Sequence, residues 1–225
     1  MSLLTADSFT IALISVVFIL SLGLTLIMGI KTKKVGNRSL IFWFSAMIIF
    51  TLSVLLEILF AVGLYDEISL KVYLFLVAAI VELLAAGSIF LTSNRTLHIA
   101  YASYSVISSA ALALSLYLFP LGRMVISHVF YGPLPLADTL FSSAITFPAA
   151  VIIVVKAAAD LRKGINLNLI SIISGVVVVS IAGTLYIAGF PAFLYLAEFI
   201  GILLLWFGFI RMPKLNGRSG LPQKF

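Results

Sequence analysis

Cysteine is missing from the chain, and charge is scarce. Without thiols there are no disulfides, no thiolate metal sites and no cysteine nucleophile. Charged residues make up 10% of the 225 positions, whereas soluble domains carry about a quarter. Only two histidines occur, His98 and His128. They fall at opposite ends of the apolar segments described below, about 30 Å apart across a bilayer, too far to share one haem. The chain also lacks an HExxH pair, a Walker loop and a GxSxG elbow, so no catalytic constellation can be named. The expectation is a protein that is not an enzyme and needs no cofactor or metal.

What is present is apolar. Hydrophobic residues account for 63% of the chain, and the mean hydropathy is +1.25. This is the composition of an integral membrane protein of the all-α class. The start, "MSLLTAD", has no basic n-region or small-residue cleavage site, so the first apolar stretch is expected to belong to the mature protein.

A bilayer-crossing helix needs about 20 mostly apolar residues. Seven segments qualify, at roughly 9–30, 40–64, 72–93, 97–119, 138–159, 167–189 and 191–210. "GFPA" between the last two predicts a tight hairpin. The outer stretch "PLGRMVISHVFYGPLPLAD" is half apolar and is expected to cap the bundle as a short helix or hairpin. Lys31, Lys33, Lys34, Arg38, Arg95, Lys156, Arg162, Lys163, Arg211, Lys214, Arg218 and Lys224 fall on one side of these spans. Lys71 and Arg123 fall on the other, beside Asp7, Asp66, Glu67 and Asp138. Basic residues concentrate in cytoplasmic loops, which predicts the N-terminus outside and the C-terminus inside. The same distribution assigns the net charge of +6 to topology and anionic headgroups, not to nucleic acid. The expected setting is the plasma membrane of a prokaryote, as a multi-pass protein forming a homo-oligomer or part of a larger membrane complex. Residues 1–210 read as one transmembrane domain and 211–225 as a short basic cytoplasmic tail, too small for an output domain.

Aligning Glu82 with Glu198 also aligns Arg95 with Arg211, and "LFAVGL" (59–64) with "LYIAGF" (185–190). A parallel repeat is therefore expected, with units 9–93 and 138–210 joined by a linker helix, 97–119. This layout resembles the three-plus-one-plus-three plan of sugar-exporting SWEET proteins. The resemblance is one of layout alone, because their paired Pro-Gln motifs are absent; the single "PQ" stands in the tail at Pro222. An equally simple reading is that two Leu-rich hairpins align by composition. Seven spans with an outside N-terminus also suggest retinal proteins, but the seventh span has no lysine to hold a chromophore.

Three acids interrupt the apolar runs: Glu57 in "VLLEILF", Glu82 in "VAAIVELLAAG" and Glu198 in "YLAEFIG". At 1.5 Å per residue they lie about 10, 15 and 10 Å from the outer ends of their expected spans. A charged acid at the centre of a span costs about 2.5–3.5 kcal/mol on insertion scales. They should therefore face the bundle interior, protonated or paired. Small residues flank them: Ala78, Ala79, Ala85 and Ala86 around Glu82, Gly201 and Gly208 near Glu198, Ser53 and Ala61 near Glu57. Such faces let another helix approach closely. Two roles stand open for the group. Each acid either binds a proton or cation, with Glu82 the leading candidate, or donates a hydrogen bond that pins two helices. Span four offers a polar stripe of Tyr101, Ser105, Ser108 and Ser115, which with Tyr195 lines a cavity or serves packing. Pro148 should kink span five. The expected function is a small transporter or channel for a proton, cation or small solute. The alternative is a non-catalytic membrane module, either an accessory subunit or a ligand-sensing receptor.

Overall fold

The computed structural model describes residues 2–121, 125–126, 129–130, 134–161, 170–171, 174–175, 177–178 and 191–210. It is helical: α1 (Ser2–Val35), α2 (Arg38–Ala61), α3 (Glu67–Ile89), α4 (Arg95–Leu118), α5 (Leu136–Leu161) and α6 (Pro191–Ile210). Five segments are long and apolar enough to cross a bilayer: Ile11–Val35, Arg38–Ala61, Glu67–Ile89, Arg95–Leu118 and Leu136–Lys156. The architecture is that of a multi-pass helical membrane protein. These five are the first five of the expected spans. The seventh coincides with α6, where Leu196–Gly208 forms a shorter apolar helix. Most of the sixth, 167–189, lies outside the described residues, as does the tail. Those described within it, among them Ile170, Ser171, Ser174 and Gly175, are helical.

Local chemistry sets the helix ends, and it moves them from where hydropathy alone puts them. α1 runs to Val35 and stops at Gly36, whose φ of +64° is a left-handed conformation that glycine adopts without strain. Asn37 then caps α2 by accepting from the Ser39 N–H at 3.0 Å. α3 starts at Glu67, well before the expected 72, because Asp66 and Ser69 form a reciprocal capping box. The charges that a hydropathy window avoids, Glu67 and Lys71, pair at 2.8 Å along the first turn. Asn94 caps α4 through the Thr96 and Leu97 N–H groups.

Short connections make α1 to α4 successive antiparallel neighbours. The bonds between helices keep that register: Thr25 meets Thr51, Trp43 meets Leu84, and Ser39 meets the Gly87 carbonyl. α1 packs on α2 and α6, α2 on α3, α3 on α4 and α5, and α4 on α5. Lys31, Lys33, Lys34, Arg38 and Arg95 gather at one end, hereafter the basic end. There Phe42, Phe90 and His98 stack in sequence, with centroids 4.8 and 4.4 Å apart. His98 also bonds the Thr92 carbonyl at 2.8 Å, so this histidine has a local structural partner. His128 lies outside the described residues. At the other end the 119–135 connection contains a two-residue antiparallel ladder, β1 (Val125–Ile126) with β2 (Val129–Phe130), and β2 lies against α2. The hairpin alternative for the outer stretch is the one that forms.

Small residues set the close approaches. A Cβ on Gly87 would fall 2.2 Å from the Trp43 ring, so only glycine admits this indole. Its Nε1 then donates to the Leu84 carbonyl at 3.2 Å. A Cβ on Gly175 would fall 2.9 Å from the Gly201 carbonyl oxygen, and Ser171 donates to the Leu204 carbonyl at 2.6 Å. Positions rising along one segment meet positions falling along the other. The described residues around Ser171 and Gly175 therefore run antiparallel to α6, while the connection at 179–190, and with it the expected tight hairpin, lies outside the described residues.

Gly87→Val should displace Trp43 and cost about 1–3 kcal/mol, read as a lower Tm in detergent, while Gly36→Asn should change it little. Asp66 gives a second test. Hydrogen bonds from the Ser69 side chain and backbone hold its carboxyl below the usual range. A depressed carboxyl contributes stability above its unfolded pKa, and that contribution disappears as pH falls through its folded value. Asp66→Ala should thus lower Tm at pH 7, and the gap to the native protein should close in acid.

Candidate functional site

The described helices are apolar outside and largely apolar within, with a few polar side chains buried among them. Ile19, Leu26, Leu52, Val106, Ile107 and Phe147 are exposed, as lipid-facing side chains should be. Thr25, Thr51, Ser53, Glu57, Glu82, Ser115, Asp138 and Glu198 are buried. All three acids singled out in the sequence therefore point into the bundle, and a fourth, Asp138, joins them.

Glu57 on α2 is 3% exposed. Its Oε1 accepts from the Tyr73 hydroxyl at 2.5 Å, and Tyr73 packs edge-on against Phe60. Its Oε2 has no partner among the described residues. Glu198 on α6 is 8% exposed, and its Oε2 is likewise without a partner there. The two carboxyl groups lie close enough for the charge of one to act on the other. Two like charges in a low-dielectric interior cannot both persist uncompensated. A proton held by one of them relieves the conflict.

Glu82 on α3 is differently placed. Its Oε2 accepts from Ser109 at 2.6 Å and its Oε1 from Ser108 at 3.4 Å. The Ser108 hydroxyl is shared with the carbonyls of Tyr104, at 2.8 Å, and Ser105, at 3.2 Å. Tyr101 donates to the backbone carbonyl of Glu82 at 3.1 Å. α3 begins at Glu67, so Glu82 lies about 22 Å from that end and about 10 Å from Ile89, nearer the basic end than the expected midplane. Of the expected stripe, Tyr101 and Ser108 reach Glu82. Ser105 contributes a carbonyl rather than its side chain. The side chain of Tyr195 lies outside the described residues.

Two features escape the sequence reading. Asp138, in the first turn of α5, is 1% exposed. Its Oδ1 accepts from Ser115 at 2.5 Å, and its Oδ2 has no described partner. The signal available was the pair of polar positions at the facing ends of spans four and five. The second feature is Tyr104. Pro148 lacks an N–H, so α5 loses the bond from residue 148 to the carbonyl of Ala144. The Tyr104 hydroxyl donates to that same carbonyl from α4. A neighbouring helix thus repairs the vacancy, as hydrocarbon surroundings demand.

Among the described residues no group of three or more His, Asp or Glu side chains is placed to hold a metal ion. No family model matches the chain, and neither a curated protein nor a solved structure matches it.

Tyr104→Phe should leave the Ala144 carbonyl unpaired and lower stability by about 1–3 kcal/mol. Pro148→Ala restores the backbone donor, so the double variant should regain most of that loss. Additive losses in thermal unfolding would contradict this pairing.

Proposed function

We propose that the protein is a small membrane transporter or channel that moves a proton or cation by way of its buried carboxyl groups. The observation that carries this reading is the Glu57–Glu198 pair. Both are buried, each has an oxygen without a described partner, and the charge of Glu57 acts on Glu198. A pair meant only to pin helices would satisfy its oxygens internally. An ion or proton bound reversibly needs atoms left available for it.

The topology that suits this role places the basic end in the cytoplasm. A parallel repeat would supply the two bodies that alternate. Under an exchange of α1 with α5 and of α3 with α6, the contact of α1 with α6 becomes that of α5 with α3; both contacts occur. The packing of α2 on α3 likewise corresponds to that of the 170s on α6. Glu82 and Glu198 then occupy matching positions. The hydroxyls already bound to Glu82 also favour a second reading for that residue, a helix pin within a non-transporting module.

Proton and cation flux in proteoliposomes separates the two. Native protein should exceed empty liposomes, and Glu57→Gln and Glu198→Gln should each abolish the excess while remaining folded. Absence of flux from the native protein, with Glu82→Gln only lowering Tm, would sink transport and leave the helix-pinning module.

A further inference from the structure

Asp138 is a buried acid that the reading above leaves unused. Its place relative to Glu82 is defined by register. On α5, Ile145 follows Asp138 by two helical turns. On α4, Leu112 lies one turn from Ser115 and one from Ser108 and Ser109. On α3, Ala78 lies one turn from Glu82. Ala78, Leu112, Leu116 and Ile145 form one buried apolar cluster. The three helices pack together, with α4 antiparallel to α3 and to α5. Of this cluster, Ala78 and Leu112 stand between Asp138 with Ser115 on one side and Glu82 with Ser108 and Ser109 on the other. Two acids, each bonded to hydroxyls of α4, are separated by about 10 Å along that helix.

We infer that Asp138 is a second proton-carrying site that exchanges protons with Glu82, with Ala78 and Leu112 as the apolar barrier between them. This rests on the proton-transport reading above. The chemistry selects a proton rather than a metal ion. One carboxyl and one hydroxyl supply far fewer oxygens than the six to eight that a calcium ion takes. In the transfer, the O–H bond at Asp138 Oδ2 breaks and a new O–H bond forms at a Glu82 carboxylate oxygen, the proton being carried by water admitted when Ala78 and Leu112 part. The anion left behind sits in the first turn of α5, at the positive end of the helix dipole. Charged neighbours on the packed helices do not compete for it: Lys71 of α3 is held by Glu67 at 2.8 Å. On α4 the titratable group at this end is Tyr117, which is exposed.

The test uses full-length protein in proteoliposomes with an imposed pH gradient, together with labelling by dicyclohexylcarbodiimide, an apolar reagent for protonated carboxyl groups. Asp138→Asn should reduce proton flux about a hundredfold with its Tm retained, and Leu112→Ser, which breaches the barrier, should raise it. Labelling at Asp138 should increase as pH falls. Native-rate flux in folded Asp138→Asn would overturn the assignment. Should Asp138→Asn fail to fold, Ser115→Ala, which keeps the carboxyl, must slow flux and alter the labelling profile; an unchanged profile counts against the proposal. If native protein moves no protons, the transport reading fails, and labelling decides this one separately. A pH-dependent profile keeps Asp138 as a proton-exchanging site, and a flat one removes it.

Discussion

Hydrocarbon offers no hydrogen-bond partner, and the whole arrangement of polar atoms in this protein follows from that constraint. Many hydroxyls satisfy it within their own helix. Ser15, Ser53, Ser88 and Thr146 each donate to a carbonyl one turn back. Such bonds are neutral with respect to tertiary structure. The informative bonds leave their helix: Ser39 to the Gly87 carbonyl, Thr25 with Thr51, Tyr73 to Glu57, Ser109 to Glu82, Ser115 to Asp138. Apolar contact cannot choose between helix neighbours in a bilayer, since lipid tails are as apolar as leucine. These few polar bonds, with the glycines that admit Trp43 and bring the 170s against α6, select one register among many.

The four buried acids divide by how fully they are partnered. Glu82 has two hydroxyl donors on its two oxygens. Glu57 and Asp138 each have one donor on one oxygen, and Glu198 faces the charge of Glu57. A fully donated carboxyl is well held. One with a vacant oxygen in a dry setting carries an unmet demand that a proton, a cation or water can meet. That gradient, not burial, separates the acids, because all four are nearly equally hidden.

Much of the fold was legible in the sequence. Apolar runs of bilayer length, broken by "KTKKVGNRS" and "YDEISLK", located the first helices, because the transfer of apolar side chains into lipid decides where a chain crosses the bilayer. Their ends were less legible. A capping box at Asp66 and Ser69 starts α3 in a stretch whose charges look like loop. Burial of Glu57, Glu82 and Glu198 was readable from the cost of any alternative, but their partners were not, since side-chain pairing depends on rotation and register across helices. Ser105 illustrates the limit: it shares a spacing with Tyr101 and Ser108, yet Ser109, off the expected stripe, bonds Glu82. The burial of Asp138 among the outer charges was not legible for the opposite reason. An acid at a span edge has the same local sequence whether it turns to water or inward to a serine.

The segment of α4 from Tyr104 to Ser109 joins chemistry to mechanics. Its hydroxyls reach Glu82 through Ser108 and Ser109, and its phenol reaches the Ala144 carbonyl that Pro148 leaves vacant. The Ser108 hydroxyl is divided between Glu82 and the carbonyl of Tyr104, the residue that bonds the Ala144 carbonyl. A hydroxyl has one proton to donate. When Glu82 carries charge it is the stronger acceptor, and when it is neutral the carbonyls of Tyr104 and Ser105 compete on better terms. The hydrogen bonding of an acid on α3 is thereby linked, through one hydrogen atom, to the helix turn that fills the vacancy in α5.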